Sequence, residues 1–337
     1  MSSFTLSSDP PADPEASWRR WIIAFCGTFL GLGGLLFILT LLIDPYDSAR
    51  FPTLGIVGID DHNPRMATVS RARDARFDSA VIGNSTGQLI NPHRIGPRIG
   101  LSFTQLTVPG TGPREQLAIM SWFASHHQTP GAFVLVADDP WCTSDPDLPV
   151  QHPFPFWLYG GNLDYLTHVM NAKSLDRAVW RVQLALGMRQ PVDPVGYSDY
   201  TAVRNFGFPA HAPEPTGDLA TAEFPLKFPW ALRLKEFVSS LPRSVSIVIV
   251  VPPVPAPLLP PPGSRAAEAI KACQTMLENS VTGRRVGGLL DFRVDNATTR
   301  DPGNFSDSMH YNDLLARQIE ERIVATLRPA ARTAEGR

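Results

Sequence analysis

The chain has 337 residues, a net charge of −2 and a pI near 6.4, which is length enough for a large core. That charge balance gives no electrostatic footprint for nucleic acid. No Cys/His pair has zinc-site spacing, and the histidines other than His310 (His62, His93, His126, His127, His152, His168 and His211) fall in no metal-ligand pattern, so no metal or other cofactor is expected. Proline is the compositional outlier at 33 residues, near twice the usual share of about 5%. Many prolines fall between Pro140 and Pro262, which predicts a region of ordered loops.

Met1 to Ser17 is polar, carries Pro10, Pro11 and Pro14, and reads as a disordered tail. After Arg19 and Arg20, Ile22 to Ile43 runs without a charge, about the twenty residues that a bilayer-crossing helix needs. Gly27, Gly31, Gly33 and Gly34 are tolerable in lipid. A soluble helix of this length would carry a polar face, and this one has none. Its apolar run exceeds the ~7–15 residues of a signal peptide, with no small-x-small site after Ile43, so an uncleaved anchor is expected. Arg19 and Arg20 on one side, against Asp44 and Asp47 on the other, place the N-terminus in the cytoplasm and the rest in the periplasm or an equivalent extracytoplasmic space. The expected organisation is a cytoplasmic tail (1–20), a transmembrane helix (21–44), a charged linker (45–76), one extracytoplasmic domain (77–330) and a tail (331–337).

Cys26 lies in the apolar segment, leaving Cys142 and Cys273 as the possible pair in the remainder. Nothing in the sequence brings those two together, and separate thiols are the expectation.

Within the domain, Ala80-Val81-Ile82 reads as a buried strand that stops at Gly83-Asn84-Ser85. Ser85 then falls beyond the strand's carboxyl edge, where open α/β sheets place their chemistry. Leu101 to Val108 alternates apolar and polar like a second strand, closed by Pro109-Gly110-Thr111-Gly112-Pro113, and Arg114 to His127 is amphipathic. Ala132 to Ala137 is a third strand, ending at Asp138-Asp139-Pro140. An insertion at about 140–229 holds a helix over Ser174 to Met188 and many aromatics, which form either a lid or substrate wall or a small core of their own. Trp230 to Leu241 reads as helix, Ser244 to Val251 as a central strand, Arg265 to Leu277 as helix and Leu289 to Arg293 as the last strand. The alternation predicts a mainly parallel α/β sheet with helices on both faces.

Near the end, Asp307 and His310 stand three apart, ahead of a helical pattern carried by Leu314, Leu315, Ile319, Ile323 and Leu327. Three residues is about one turn, so both side chains can project from one loop or first helical turn. A serine nucleophile needs a base in reach, and the base needs an orienting carboxylate. The alternative for the same residues is a turn serine and a helix cap beside a satisfied histidine.

With Gly-x-Ser after the first strand and Asp-x-x-His before the last helix, the chain resembles the SGNH (GDSL-like) hydrolase superfamily. Its nearest flavour is the membrane-anchored branch similar to polysaccharide O-acetyltransferase-like proteins. The resemblance spans roughly Phe77 to Leu327 and rests on those two motifs. It implies a three-layer, flavodoxin-like α/β fold, with Ser85 as nucleophile, His310 as base and Asp307 as its orienting carboxylate. It also implies an oxyanion site built from the Ser85 N–H, a glycine N–H after the second strand (Gly110, or else Gly112) and an asparagine after the third. The chain departs twice from that pattern. Asn84 replaces an aspartate but can still brace the turn. Asp138-Asp139 stands where the asparagine would be, and an ionised carboxylate there repels a developing oxyanion, so either Asp138 and Asp139 point elsewhere, toward a sugar hydroxyl, or the third donor comes from another residue.

The expected function is acyl transfer through an acyl-serine, from an acyl donor to an exported polysaccharide or envelope glycan or to water, with a polytopic acyl-exporting membrane protein as a possible partner. The alternative is an inactive glycan-binding or scaffold subunit of a membrane export complex.

Overall fold

The structure is a computed structural model and describes residues 14–59, 63–190, 192–208 and 228–332. Most of the expected N-terminal tail, His62, His211 and residues 209–227 of the insertion lie outside the described residues. Helix α1 spans Pro14–Ile43; its 26 residues from Trp18 contain an 18-residue window with a mean hydropathy of 2.4, and the helix is long and apolar enough to cross a membrane.

Five strands among the described residues form one parallel sheet: β1 (Ser79–Gly83), β2 (Phe103–Thr107), β3 (Ala132–Val136), β4 (Ser246–Val251) and β5 (Gly287–Asp291). The order is β2-β1-β3-β4-β5. All four crossovers are parallel, as the alternation of strands and helices requires. Strands β1, β3 and β4 are fully buried runs of Val, Ile, Leu, Ala and Phe, because helices cover both of their faces. Ala80, Ile82, Phe133, Leu135, Ile247 and Ile249 face one core; Val81, Val134, Val136, Val248 and Val250 face the other. Each such Val or Ile contributes about 1.5–3 kcal/mol by leaving water.

Helices α2 (Pro64–Arg73), α4 (Pro113–His126), α8 (Pro229–Ser240) and α9 (Arg265–Val281) pack on the first face. Helices α3 (Pro92–Ile95) and α11 (Asp313–Arg332) cover the second. Between them in sequence lie α5 (Pro140–Thr143), α6 (Asn162–His168), α7 (Ala172–Ala185) and α10 (Ala297–Arg300). The chain leaves β1 for β2 on one side and then passes to β3 on the other. The loops after β1 and β3 therefore diverge, opening a crevice at the strands' carboxyl ends. Ser85 follows β1 and Asp138 follows β3.

Two expectations are corrected. The stretch read as a charged linker contains α2, which buries Met66, Val69 and Ala72 against the sheet and accepts a hydrogen bond from Trp122 Nε1 at Val69 O (3.0 Å). The cysteines expected to stay apart are joined: Cys142 on α5 and Cys273 on α9 form a disulfide with Cα atoms 5.7 Å apart. The crossovers that follow β3 and β4 lay α5 against α9, a closeness that a sequence separation of 131 conceals.

The chain just past α1 is built into the domain. Tyr46 is fully buried and its hydroxyl meets Ser174 Oγ at 2.9 Å. Asp47 is paired with Arg73 and accepts from Ser70 Oγ (2.7 Å) and Arg181 (3.3 Å). These partners satisfy a carboxylate that burial would otherwise penalise heavily.

Candidate active site

The Ser85 loop is stiffened from three sides. Gly83 presses against β3 and Gly87 against β2 and β3: a Cβ on Gly83 would lie 2.9 Å from Val136 Cβ, and one on Gly87 3.0 Å from Thr107 Cγ2 and 3.1 Å from Val136 Cγ2. Only glycine lets the turn sit so close. Asn84 caps the 3₁₀ turn Ser85–Gly87, its Oδ1 accepting from the Thr86 N–H (2.9 Å) and hydroxyl (2.8 Å). The fully buried Tyr311 hydroxyl donates to Thr86 O at 2.5 Å, and Gln105 Nε2 donates to the carbonyl of Gln88 at 2.7 Å.

Asp307 and His310 lie on a tight loop between Phe305 and Tyr311, which form an antiparallel bridge. Asp307 caps this loop, not a helix. Its Oδ1 accepts from the N–H groups of Met309 (3.0 Å) and His310 (2.9 Å), and α11 begins only at Asp313. His310 Nδ1 lies 2.8 Å from both Asp307 oxygens, and Nε2 lies 2.8 Å from Ser85 Oγ. With Nδ1–H donating to the carboxylate, Nε2 is left to accept the Ser85 hydroxyl proton. Burial alone would raise the Asp307 pKa. Hydrogen bonds from His310 and from the Met309 and His310 backbone outweigh it and hold the carboxyl well below the usual range. Asp307 is therefore ionised and able to stabilise an imidazolium.

Two neighbours come from the insertion: Arg204, which sequence reasoning missed, and Tyr200, one of the insertion aromatics read as either a lid or wall or a small core. Arg204 donates through Nη1 to Asp307 Oδ2 (2.6 Å), and its Nη2 lies 3.2 Å from His310 Nε2. The Tyr200 ring stands edge-on to the imidazole, centroids 5.4 Å apart, and its hydroxyl donates to Tyr311 O (2.9 Å). The Arg204 guanidinium in turn lies over the Tyr200 ring at 5.0 Å. At least this part of the insertion is a wall of the site. Other insertion aromatics, such as Leu158's neighbours Phe154, Trp157 and Tyr159, pack instead against the core on the first face.

The remaining expected residues fall nearby with different engagements. Val108 N–H donates to Gly83 O (2.9 Å), which sets the Pro109-Gly110 loop beside the Ser85 turn. Gly110 has φ +66° and lies under His152. The Gly112 N–H already donates to Glu115 Oε2 (3.2 Å), so Gly110 is the better placed of the two glycines to offer a free donor. Asn84 Nδ2 donates to Asp138 Oδ2, while Asp138 Oδ1 is buried with no hydrogen-bond partner among the described residues. Burial, and then the charge of Asp139, push the Asp138 carboxyl up to about 7. Asp139 itself is paired with Arg293. Beside this edge a pocket of about 390 Å³ is lined by Asn63, Arg65, Pro109, Gly110, His152 and Pro153. Among the described residues, no three His, Cys, Asp or Glu side chains converge to hold a metal ion.

Comparison with protein-family models and with curated proteins finds no match for this chain.

Proposed function

We propose that this chain is a membrane-anchored serine acyl-transfer enzyme with an SGNH-like three-layer domain, acting outside the cytoplasmic membrane on an exported polysaccharide or envelope glycan. One observation carries the reading: Ser85 Oγ, His310 and Asp307 form an unbroken hydrogen-bonded line, 2.8 Å at each link, at the carboxyl edge of a parallel sheet. In this reading Ser85 Oγ attacks the acyl carbonyl carbon while its proton passes to His310 Nε2. The donor's oxygen leaves with that proton, giving an acyl-serine. A glycan hydroxyl or water then gives its proton to His310 and takes the acyl group, restoring Ser85. The Ser85 and Gly110 N–H groups are the oxyanion donors, and the 390 Å³ pocket beside Gly110 is room for one substrate arm.

The compartment is supported by α1, by Arg19 and Arg20 ahead of its charge-free run, and by the Cys142–Cys273 disulfide, since such bonds persist in oxidising spaces. A polytopic acyl-exporting membrane protein is the partner that would supply the donor. The test is labelling of the full-length protein in detergent by a fluorophosphonate, with turnover of an acetyl ester alongside. Label on Ser85, lost in Ser85→Ala, supports the enzyme. No label and no turnover from folded protein would move the reading to the second possibility, an inactive glycan-binding or scaffold subunit. Asp138 favours that alternative, because it puts a carboxyl where a neutral donor would serve better.

A further inference from the structure

The stretch from Trp21 to Thr40 is about twenty residues, or ~30 Å of helix, the thickness of a bilayer's hydrocarbon core. The end of that measured length is where the domain closes on α1. Thr40 is buried, and Phe37 and Leu41 pack against the core. Two segments do the gripping. One is α7, whose Arg181 donates to Ile43 O (3.1 Å). The other is residues 54–58, where Leu54 N–H donates to Leu42 O (2.9 Å) and the carbonyls of Ile56 and Gly58 accept from Arg181.

These same two segments expose large apolar side chains. Leu54, Val57, Val179, Val182, Leu186 and Met188 are between 37% and 70% exposed. On α7, Leu175, Val179, Val182 and Leu186 recur at i, i+4, i+7 and i+11, a stripe beside the buried Ser174-Ala178-Arg181 stripe that holds the end of α1. Lys173 and Arg189 flank it, Lys173 exposed on the first turn and Arg189 just past the helix. Exposed apolar residues elsewhere on the globular part, such as Leu148, Val203, Leu232 and Val294, are scattered in sequence over separate elements and need no partner. A cluster continuous with an apolar helix does call for one.

We infer that residues 54–57 and the outer face of α7 form an apolar collar that sits in the headgroup–acyl boundary of the bilayer where α1 leaves it, holding the domain against the lipid surface at a fixed height and tilt. The inference rests on the membrane-anchor reading of α1. The partner is phospholipid, because the collar adjoins the apolar helix at the end of its ~30 Å span, where acyl chains meet headgroups, and Arg189 just past α7 can reach a lipid phosphate. The outer stripe then escapes water without a protein partner, and Arg181 locks it to α1 so that the two enter the boundary together.

The test uses the full-length chain in vesicles of phosphatidylcholine and phosphatidylglycerol, with an environment-sensitive NBD dye on single cysteines. The native Cys26 reports the span. In a Cys26→Ser background, Val182→Cys and Leu186→Cys report the collar, and Leu232→Cys on α8 is the water-exposed control. Lipids carry a quencher either near the headgroup or near the bilayer centre. Dye at positions 182 and 186 is expected to show blue-shifted emission and stronger quenching by the shallow probe, dye at Cys26 stronger quenching by the deep one, and dye at 232 neither. If positions 182 and 186 behave like 232 while Cys26 is quenched, the collar is wrong and the span stands. If Cys26 also escapes quenching, the anchor reading falls and the collar with it. If 182 and 186 are wet in pure lipid yet shielded in native membranes, the partner is a protein and the lipid assignment is overturned.

Discussion

Asn84 and Asp138 clasp each other across the ends of β1 and β3, the amide of the residue before Ser85 donating to a buried carboxyl. That contact ties the Ser85 turn to a carboxyl pushed up to about 7 by burial and by Asp139. Its folded pKa exceeds the unfolded value, so the folded state holds the extra proton between about pH 4 and 7. The corresponding stability is complete below that window and is lost as the pH rises through it. At about 1.4 kcal/mol per pKa unit, the loss is on the order of 2–4 kcal/mol. Thermal melts should therefore fall by several degrees between about pH 5 and 8, and Asp138→Asn should flatten the dependence. A profile unchanged by Asp138→Asn would mean that this carboxyl is not the group responsible.

The same substitution has a catalytic consequence. An ionised Asp138 beside the Ser85 turn opposes a developing oxyanion, whereas an amide does not. Asp138→Asn should raise ester turnover several-fold above about pH 7.5 and change it little near pH 5.5, where the native carboxyl is already neutral. The check is kcat/KM across that range for both proteins.

Ser85, His310 and Asp307 should behave as one unit. Ser85→Ala and His310→Ala are each expected to cost at least about 10³-fold in kcat/KM, with the double variant little worse than either. Asp307→Asn leaves both reacting groups in place and disturbs only the tautomer and orientation of His310, so its loss should be smaller. Additive losses in the double variant would break the relay.

Arg204 is expected to act as a positioning residue. It holds Asp307 Oδ2 at 2.6 Å from outside the motif. Loss of one charge-assisted hydrogen bond, about 1.5–2 kcal/mol, gives a roughly 10–30-fold drop in kcat for Arg204→Ala. Lysine cannot reproduce the fork that touches both Asp307 and His310, so Arg204→Lys should rescue little. A purely structural role would lower the melting temperature and leave the kcat of the surviving folded protein intact.

The Cys142–Cys273 disulfide closes a loop of 131 residues. On loop entropy such a link contributes up to about 5 kcal/mol. Cys142→Ser/Cys273→Ser, or reduction of the native protein, should lower the unfolding free energy by several kcal/mol, read as an earlier denaturation midpoint, without changing which residues bear label.

The parts of this molecule legible in the sequence are those written in local pattern. Unbroken apolar runs such as Ser246–Val251 announce buried parallel strands, and the Gly-Asn-Ser stop and the Asp-x-x-His spacing mark the loops that meet at 2.8 Å. Helix α2 was hidden because its apolar positions, Met66, Val69 and Ala72, are diluted by five polar or charged residues (Arg65, Thr68, Ser70, Arg71 and Arg73), and its burial comes from the partner it packs on. Arg204 and Tyr200 carry no motif; only the path of the insertion back over the Asp307 loop brings them in. The disulfide is likewise a product of topology, since α5 and α9 become neighbours only after the β3 and β4 crossovers are laid down.

The most direct measurement is the mass of the Ser85 peptide after the full-length protein is mixed with an excess of an acetyl ester and quenched in acid during turnover. The relay at Ser85, His310 and Asp307 predicts an added acetyl group on Ser85, absent in Ser85→Ala and chased away by an acceptor hydroxyl. Turnover with Ser85 unmodified at every quench time, or an unchanged rate in Ser85→Ala, would contradict it.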